Sequence, residues 1–238
     1  MKVKFSVMTV AILLLLGCTS ALQAQKNWEK IYSDQDVSRD TIQKKGYTLI
    51  FINKDDSFDG QTIKRMTQTF FDVYPKEVKT YNKKSSKTVA IIIDPEYKGV
   101  AATSGHVVRV NPAWMRAHPE DLDVVTHETM HIVQSYPHDA GPGWITEGIA
   151  DFVRNQYGVN NKAGNWSLTP FNEKQNYTNA YRITARFFVW ISKNYKKDFV
   201  KKLNTAMHSG NYSDKFWKNQ TGKSVDELWK EYSQNPLI

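Results

Sequence analysis

Apolar positions along this chain fall into runs of two kinds, some continuous and some recurring at helical spacing. Tyr47-Thr48-Leu49-Ile50-Phe51-Ile52 is β-branched and aromatic, is closed by Asn53-Lys54-Asp55-Asp56, and predicts a strand. Ile63, Met66, Phe70, Phe71 and Tyr74 recur at helical spacing from Gly60 onward, and Pro75 is expected to end that helix. Lys87-Thr88-Val89-Ala90-Ile91-Ile92-Ile93 is apolar enough for a central strand. Val100 to Thr103 and His106 to Val110 predict a hairpin turning at Ser104-Gly105. Ahead of all this, residues 26–45 are polar and mixed, and predict only a loosely attached lead-in.

The second half reads as helical. Val124, Val125, Ile132 and Val133 give one helix its apolar side, with Pro119-Glu120-Asp121 placing proline and acids in the first turn. Gly141-Pro142-Gly143 breaks the chain, and Trp144 to about Tyr157 forms the next helix, ending at Gly158. Residues 159–176 predict a surface loop. Tyr177 to Tyr195 forms a helix packed on the core, Phe199, Leu203 and Met207 mark another, and Val225, Leu228, Trp229 and Tyr232 mark a last. Strands first and helices afterwards place the chain in the α+β class, as an N-terminal mixed-sheet lobe (about 45–136) and a mainly helical C-terminal lobe (about 140–238) of one domain spanning 25–238.

Composition adds a destination. Lys2 and Lys4 followed by the apolar run Val7 to Leu16 form a targeting segment over residues 1–24, too short to serve as a transmembrane helix. Two cleavage readings compete: an ordinary site after Ala24, giving a secreted or periplasmic product, and a lipobox at Leu15-Leu16-Gly17-Cys18, giving a lipoprotein anchored through Cys18. Cys18 is the only cysteine, so core burial and not disulfides stabilises the body. The formal charge of +8 falls to +6 without the two targeting lysines and fits a solvated basic exterior. Arginine-rich runs, zinc-finger spacing and aromatic-basic interleaving are missing, which argues against nucleic acid.

The chemistry concentrates in His127-Glu128-Thr129-Met130-His131, of the form H-E-x-x-H. Two histidines four residues apart share a helix face, so both imidazoles reach one ion, and Glu128 falls beside the remaining coordination site as general base. A catalytic zinc takes three protein ligands and leaves one position open. Glu147, at the start of the following helix, is the expected third ligand, and Asp151 one turn later is placed to orient a ligand histidine through its other ring nitrogen. His138 and Asp151 stay open as alternative third ligands. The histidine at the eleventh position of a metzincin motif is absent, since Pro137 stands there and Gln134 stands at the motif's glycine.

An H-E-x-x-H helix followed by E-x-x-x-D resembles the gluzincin peptidases. More narrowly, H-E-x-x-H-x-x-Q, then Gly143-Trp144 with Glu147-Gly148-Ile149-Ala150-Asp151-Phe152-Val153-Arg154, resembles the basic secretory protein family of plant and bacterial peptidases. The segments from Tyr181 to Phe188 and from Thr221 to Trp229 resemble that family as well, so the likeness covers roughly residues 45–234. The resemblance implies a zincin-like fold, a Zn²⁺ cofactor and a peptide or protein substrate. It implies an edge strand that pairs with the substrate backbone, with Ala101 and Ala102 as candidates for contact. It also implies a Tyr or His donor to the oxyanion, for which Tyr181 is the candidate and His138 and Tyr177 the alternatives. Two other classes stay open: a zinc-bearing binding module for glycan or protein without turnover, and a zinc hydrolase of a non-peptide amide or ester.

Overall fold

The computed structural model describes Trp28 and residues 30–238; the targeting segment and Cys18 lie outside the described residues. The architecture is mixed α+β, with a five-stranded sheet followed by a succession of helices. The strands are β1 (Ser38–Lys44), β2 (Tyr47–Asn53), β3 (Thr88–Ile93), β4 (Ala101–Ser104) and β5 (Val107–Val110), in sheet order β1-β2-β3-β5-β4. β2, β3 and β5 run parallel, while β1 and β4 are antiparallel edges.

The lead-in is not loose. Ser38–Lys44 pairs along the whole of β2 through a turn at Lys45 and Gly46, both at positive φ (54° and 79°). Its side chains are mostly exposed, so no alternation of apolar residues announced it. Upstream, Trp28 and Ile31 cover the sheet face formed by Ile52, Ala90, Ile92 and Val107. The hairpin of β4 and β5 turns at Gly105-His106, one residue later than expected.

β2 connects to β3 through α1 (Gly60–Tyr81), as parallel neighbours require. Asp59 caps its start, accepting from the Gln61 and Thr62 amides at 3.1 and 2.7 Å. α1 does not stop at Pro75 but continues for another six residues. A proline inside a helix strands the carbonyl four residues back. Here that carbonyl, of Phe71, accepts from Lys45 Nζ at 2.9 Å, so the usual penalty is reduced by a residue in the β1–β2 turn.

The helices after the sheet are α2 (Pro112–Ala117), α3 (Val124–Gln134), α4 (Gly143–Tyr157), α5 (Tyr181–Asn194), α6 (Phe199–His208), α7 (Lys215–Thr221) and α8 (Val225–Gln234). α2 and α7 were not visible in the apolar spacing. α3 starts three residues after Asp121 and not at Pro119, because the acids there have other partners: Glu120 pairs with Arg65 and Asp121 with Arg154. The span from Tyr177 to Tyr195 is also not one helix. A 3₁₀ turn (Tyr177–Asn179) is followed by a break at Ala180, and α5 begins beyond it.

Among the described residues, no helix is long and apolar enough to cross a membrane. The main core lies between the sheet face carrying Leu49, Phe51, Val89, Ile91 and Ile93 and the helices, where Phe70, Tyr74, Met130, Ile149 and Phe188 are fully buried. α4 and α5 approach closely because position 148 is glycine: a Cβ there would stand 2.3 Å from Thr184 Cγ2. That contact brings the start of α5 against the helix carrying Glu147.

Candidate metal centre

α3 is buried on nearly all sides, yet it presents His127, Glu128 and His131 to a cleft of about 1210 Å³. α4 supplies Glu147 and Asp151 to the same cleft, β4 supplies Ala101, Ala102 and Thr103, and the start of α5 supplies Tyr181. His127 Nε2 lies 3.1 Å from His131 Nε2 and 3.2 Å from Glu147 Oε2, while His131 Nε2 lies 3.5 Å from the same oxygen. These three ligand atoms form the one group of three or more metal-competent side chains found among the described residues.

The far side of each ring fixes its chemistry. His127 Nδ1 stands 2.7 Å from Asp151 Oδ1, and His131 Nδ1 stands 2.7 Å from Gln134 Oε1. Gln134 Nε2 donates to the Thr146 carbonyl at 2.9 Å, which turns its amide oxygen toward the histidine. Both partners are acceptors, so each Nδ1 carries the hydrogen and each Nε2 presents a bare lone pair in the neutral ring. Two such lone pairs and a carboxylate oxygen converging within hydrogen-bond distance repel unless a cation, either a proton or a metal ion, sits among them. Two imidazoles and a carboxylate are the donor set of a catalytic zinc, so the residues fit that ion.

Electrostatics agree. Burial by itself lowers the His127 pKa, but hydrogen bonds to the Asp151 and Glu147 carboxylates prevail and push it up to about 10. Burial likewise raises Glu147, but the two histidines hold it well below the usual carboxylate range. The pocket therefore favours positive charge between these groups. The charge of Glu147 and partial burial raise the Tyr181 phenol.

Tyr181 stacks over His127 with centroids 6.1 Å apart and planes at 21°, and it remains 54% exposed. Its φ is +50° and that of Ala180 is +63°, a pair of left-handed non-glycine residues. Such conformations cost on the order of 1–3 kcal/mol each and collect at functional sites. Here they break the 3₁₀ turn from α5 and set Tyr181 at the cleft. The alternatives are placed elsewhere. His138 is 94% exposed beside Asp139, and Tyr177 donates to Asp226 at 2.7 Å and packs against Trp144.

Ala101 and Ala102 sit on β4, the edge of the sheet, and line the cleft half-buried. Two contacts are not evident from the sequence, although Thr103 belongs to the expected edge strand and Gln134 to the H-E-x-x-H-x-x-Q pattern. Thr103 donates to Glu128, its Oγ1 lying 2.7 Å from Oε2, and Gln134 orients His131. Gln134 falls three residues beyond the second histidine, a spacing that could have found it; Thr103 comes from a distant strand and had no local signal.

A helix carrying two histidines, a second helix returning a glutamate, and a sheet edge beside both make up the fold and site of this molecule. The same fold occurs in zinc metallopeptidases of known structure. An M1 zinc metallopeptidase from Deinococcus radiodurans bound to a Tyr-Ser-Ala substrate is 13% identical, with a TM-score of 0.50 over 84% of this chain and 53% of that one. A two-domain M1 zinc metallopeptidase bound to L-arginine is 12% identical, with a TM-score of 0.52 over 82% and 51%. An aminopeptidase N family protein from Idiomarina loihiensis is 10% identical, with a TM-score of 0.51 over 84% and 47%. The chain spans about half the length of these structures, and at such identities the likeness is one of fold. Among curated protein sequences there is no match. The family is nevertheless defined: the chain belongs to BSP, the peptidases of plants and bacteria, whose model matches residues 32–232.

Proposed function

We propose that this chain is an exported zinc-dependent peptidase, with His127, His131 and Glu147 holding the metal and Glu128 serving as general base. The observation that carries the proposal is the convergence of two imidazole lone pairs and one carboxylate on a single point of the cleft. Membership of a peptidase family and a fold shared with zinc metallopeptidases support it. When bound, zinc supplies Lewis-acid polarisation of the substrate carbonyl and activation of a water near neutral pH. Glu128 takes the proton of the attacking water and passes it to the leaving amine, base first and acid second. Asp151 keeps His127 in the tautomer whose Nε2 faces the cleft, and Gln134 does the same for His131. Tyr181 donates its phenol hydrogen to the oxygen on which charge develops. The edge of β4 at Ala101 and Ala102 takes the substrate backbone as an added strand. Export rests on the sequence pattern of residues 1–24.

The test is cleavage of a mixed peptide library by the mature chain, with and without a zinc chelator, beside Glu128→Ala. Cleavage that the chelator stops and the variant lacks is the expected result. Cleavage indifferent to both would overturn the assignment.

A further inference from the structure

One wall of the cleft is organised around an ion pair that plays no part in holding the metal. Arg154 and Asp121, 5% and 8% exposed, are joined from Nη2 to Oδ1. Burying such a pair is costly, and here each partner also fixes an aromatic ring. Asp121 Oδ2 accepts from Trp114 Nε1 at 2.8 Å, and Trp114 stacks on His118 with centroids 3.9 Å apart. The Arg154 guanidinium lies 4.5 Å from the centre of the Trp166 ring, while its Nε donates to Asn161 at 3.1 Å. The loop bearing Trp166 is tied down as well. The Val159 amide donates to Asp123 at 2.9 Å, and a Cβ at Gly164 would meet the Glu120 carbonyl at 2.8 Å. Trp114, His118, Asp121, Arg154 and Trp166 line the same cleft as His127 and Glu128.

We infer that Trp114 and Trp166 form a preformed substrate subsite that takes a large apolar side chain, aromatic by preference, from the peptide lying in the cleft. The inference rests on the peptidase reading of the site. Trp114 packs against the hydrophobic core, whereas Trp166 does not, so filling the interior accounts for the first ring and not for the second. The two charges buried in this wall, on Asp121 and Arg154, are already engaged. Asp121 is buried, its charge is paired with Arg154, and its second oxygen accepts from Trp114, so it offers little net charge to a basic side chain. Arg154 lies under Trp166 and is committed to Asp121 and Asn161, so it is unavailable to an acidic one. Ring faces are what the wall offers, and they favour apolar and aromatic partners. Rings held in place before binding lose little freedom when a side chain docks, which favours affinity.

The test has two arms, so that the subsite and the peptidase reading can fail separately. In the first, cut sites from a peptide library are compared for the wild type, Trp166→Ala, Trp166→Phe and Trp114→Phe. The expected result is enrichment of Phe, Tyr or Leu at one position beside the cut. Trp166→Ala should then lower kcat/KM on those peptides by about tenfold or more while peptides with Ala there change less than about twofold, and Trp166→Phe should restore most of the loss. In the second arm, blocked phenylalanyl and alanyl peptides are titrated against Glu128→Gln, which needs no turnover. Binding about tenfold tighter for the phenylalanyl peptide, lost with Trp166→Ala, would support the subsite even if no peptide were cut. Equal binding of the two peptides, a preference that survives Trp166→Ala, or cleavage that requires a sugar on the substrate would overturn it.

Discussion

Thr103 Oγ1 stands 2.7 Å from Glu128 Oε2 and 3.0 Å from the Glu128 carbonyl oxygen, so one hydroxyl of the cleft-edge strand touches both ends of the proposed base. A hydroxyl has one hydrogen and can also accept. It donates to the carboxylate while Glu128 is ionised; once Glu128 holds a proton, it accepts from the acid and donates to the carbonyl. Both halves of a base-then-acid cycle are thus satisfied without moving the backbone. Thr103→Val keeps the shape and removes the hydroxyl. Losing a hydrogen bond to a charged group is worth about 1.5–3 kcal/mol, so kcat should fall about ten- to a hundredfold, with zinc content intact and KM little changed. Thr103→Ser should recover most of the rate. An unchanged kcat in the valine variant would show that the hydroxyl does not serve the base.

Asp151 holds His127 Nδ1 at 2.7 Å from a side chain that is almost fully buried. Replacing it by Asn keeps the size and removes the charge that favours the correct tautomer. Zinc affinity of Asp151→Asn, measured by competition with a chelator, should weaken about ten- to a hundredfold. Loss of one zinc ligand outright would weaken it far more, and such a result would move Asp151 into direct coordination.

Tyr181 donates to no protein acceptor among the hydrogen bonds described and is half exposed, so Tyr181→Phe should leave the melting temperature where it is. If the phenol serves the oxyanion, kcat should drop by about a hundredfold. A rate equal to wild type would reduce Tyr181 to a wall of the cleft.

The site and the fold were legible in the sequence to different depths. His127, Glu128 and His131 were readable because one helical turn fixes their geometry, and Glu147 with Asp151 because a second turn repeats it. Thr103 was not, since its partner lies 25 residues away across the sheet edge. The same holds for α1. Its continuation past Pro75 depends on Lys45, 26 residues before the Phe71 carbonyl that it serves, and no local rule contains that bond. β1 escaped because an exposed edge strand shows no apolar alternation. The Tyr177–Tyr195 span kept its apolar face, but the break at Ala180 and Tyr181 is a backbone feature at two residues that ordinarily avoid positive φ.

Behind α3, Glu77 is fully buried, and burial raises its pKa well above the usual carboxylate range. Its Oε2 lies 2.9 Å from Thr129 Oγ1, which lies 2.8 Å from the Val125 carbonyl, so a neutral acid can donate to the hydroxyl and the hydroxyl to the carbonyl. Folding therefore takes up a proton here. The stabilising contribution is complete below the unfolded pKa, about 4.3 for a glutamate, and is lost as pH rises through the raised folded value. Glu77→Gln cannot ionise. Its stability relative to wild type should therefore grow between pH 5 and pH 8, by about 1 kcal/mol or more in denaturant titrations. A difference that stays flat with pH would mean that Glu77 is ionised in the folded protein.

If His127, His131 and Glu147 hold a zinc ion and Glu128 does not, metal content must follow the first three residues and ignore the fourth. Elemental analysis of the purified chain beside Glu128→Ala and Glu147→Ala tests it most directly. One zinc per chain is expected in the wild type and in Glu128→Ala, and markedly less in Glu147→Ala. A wild type that binds no zinc under saturating conditions, or a Glu147→Ala chain that retains a full complement at wild-type affinity, would contradict it.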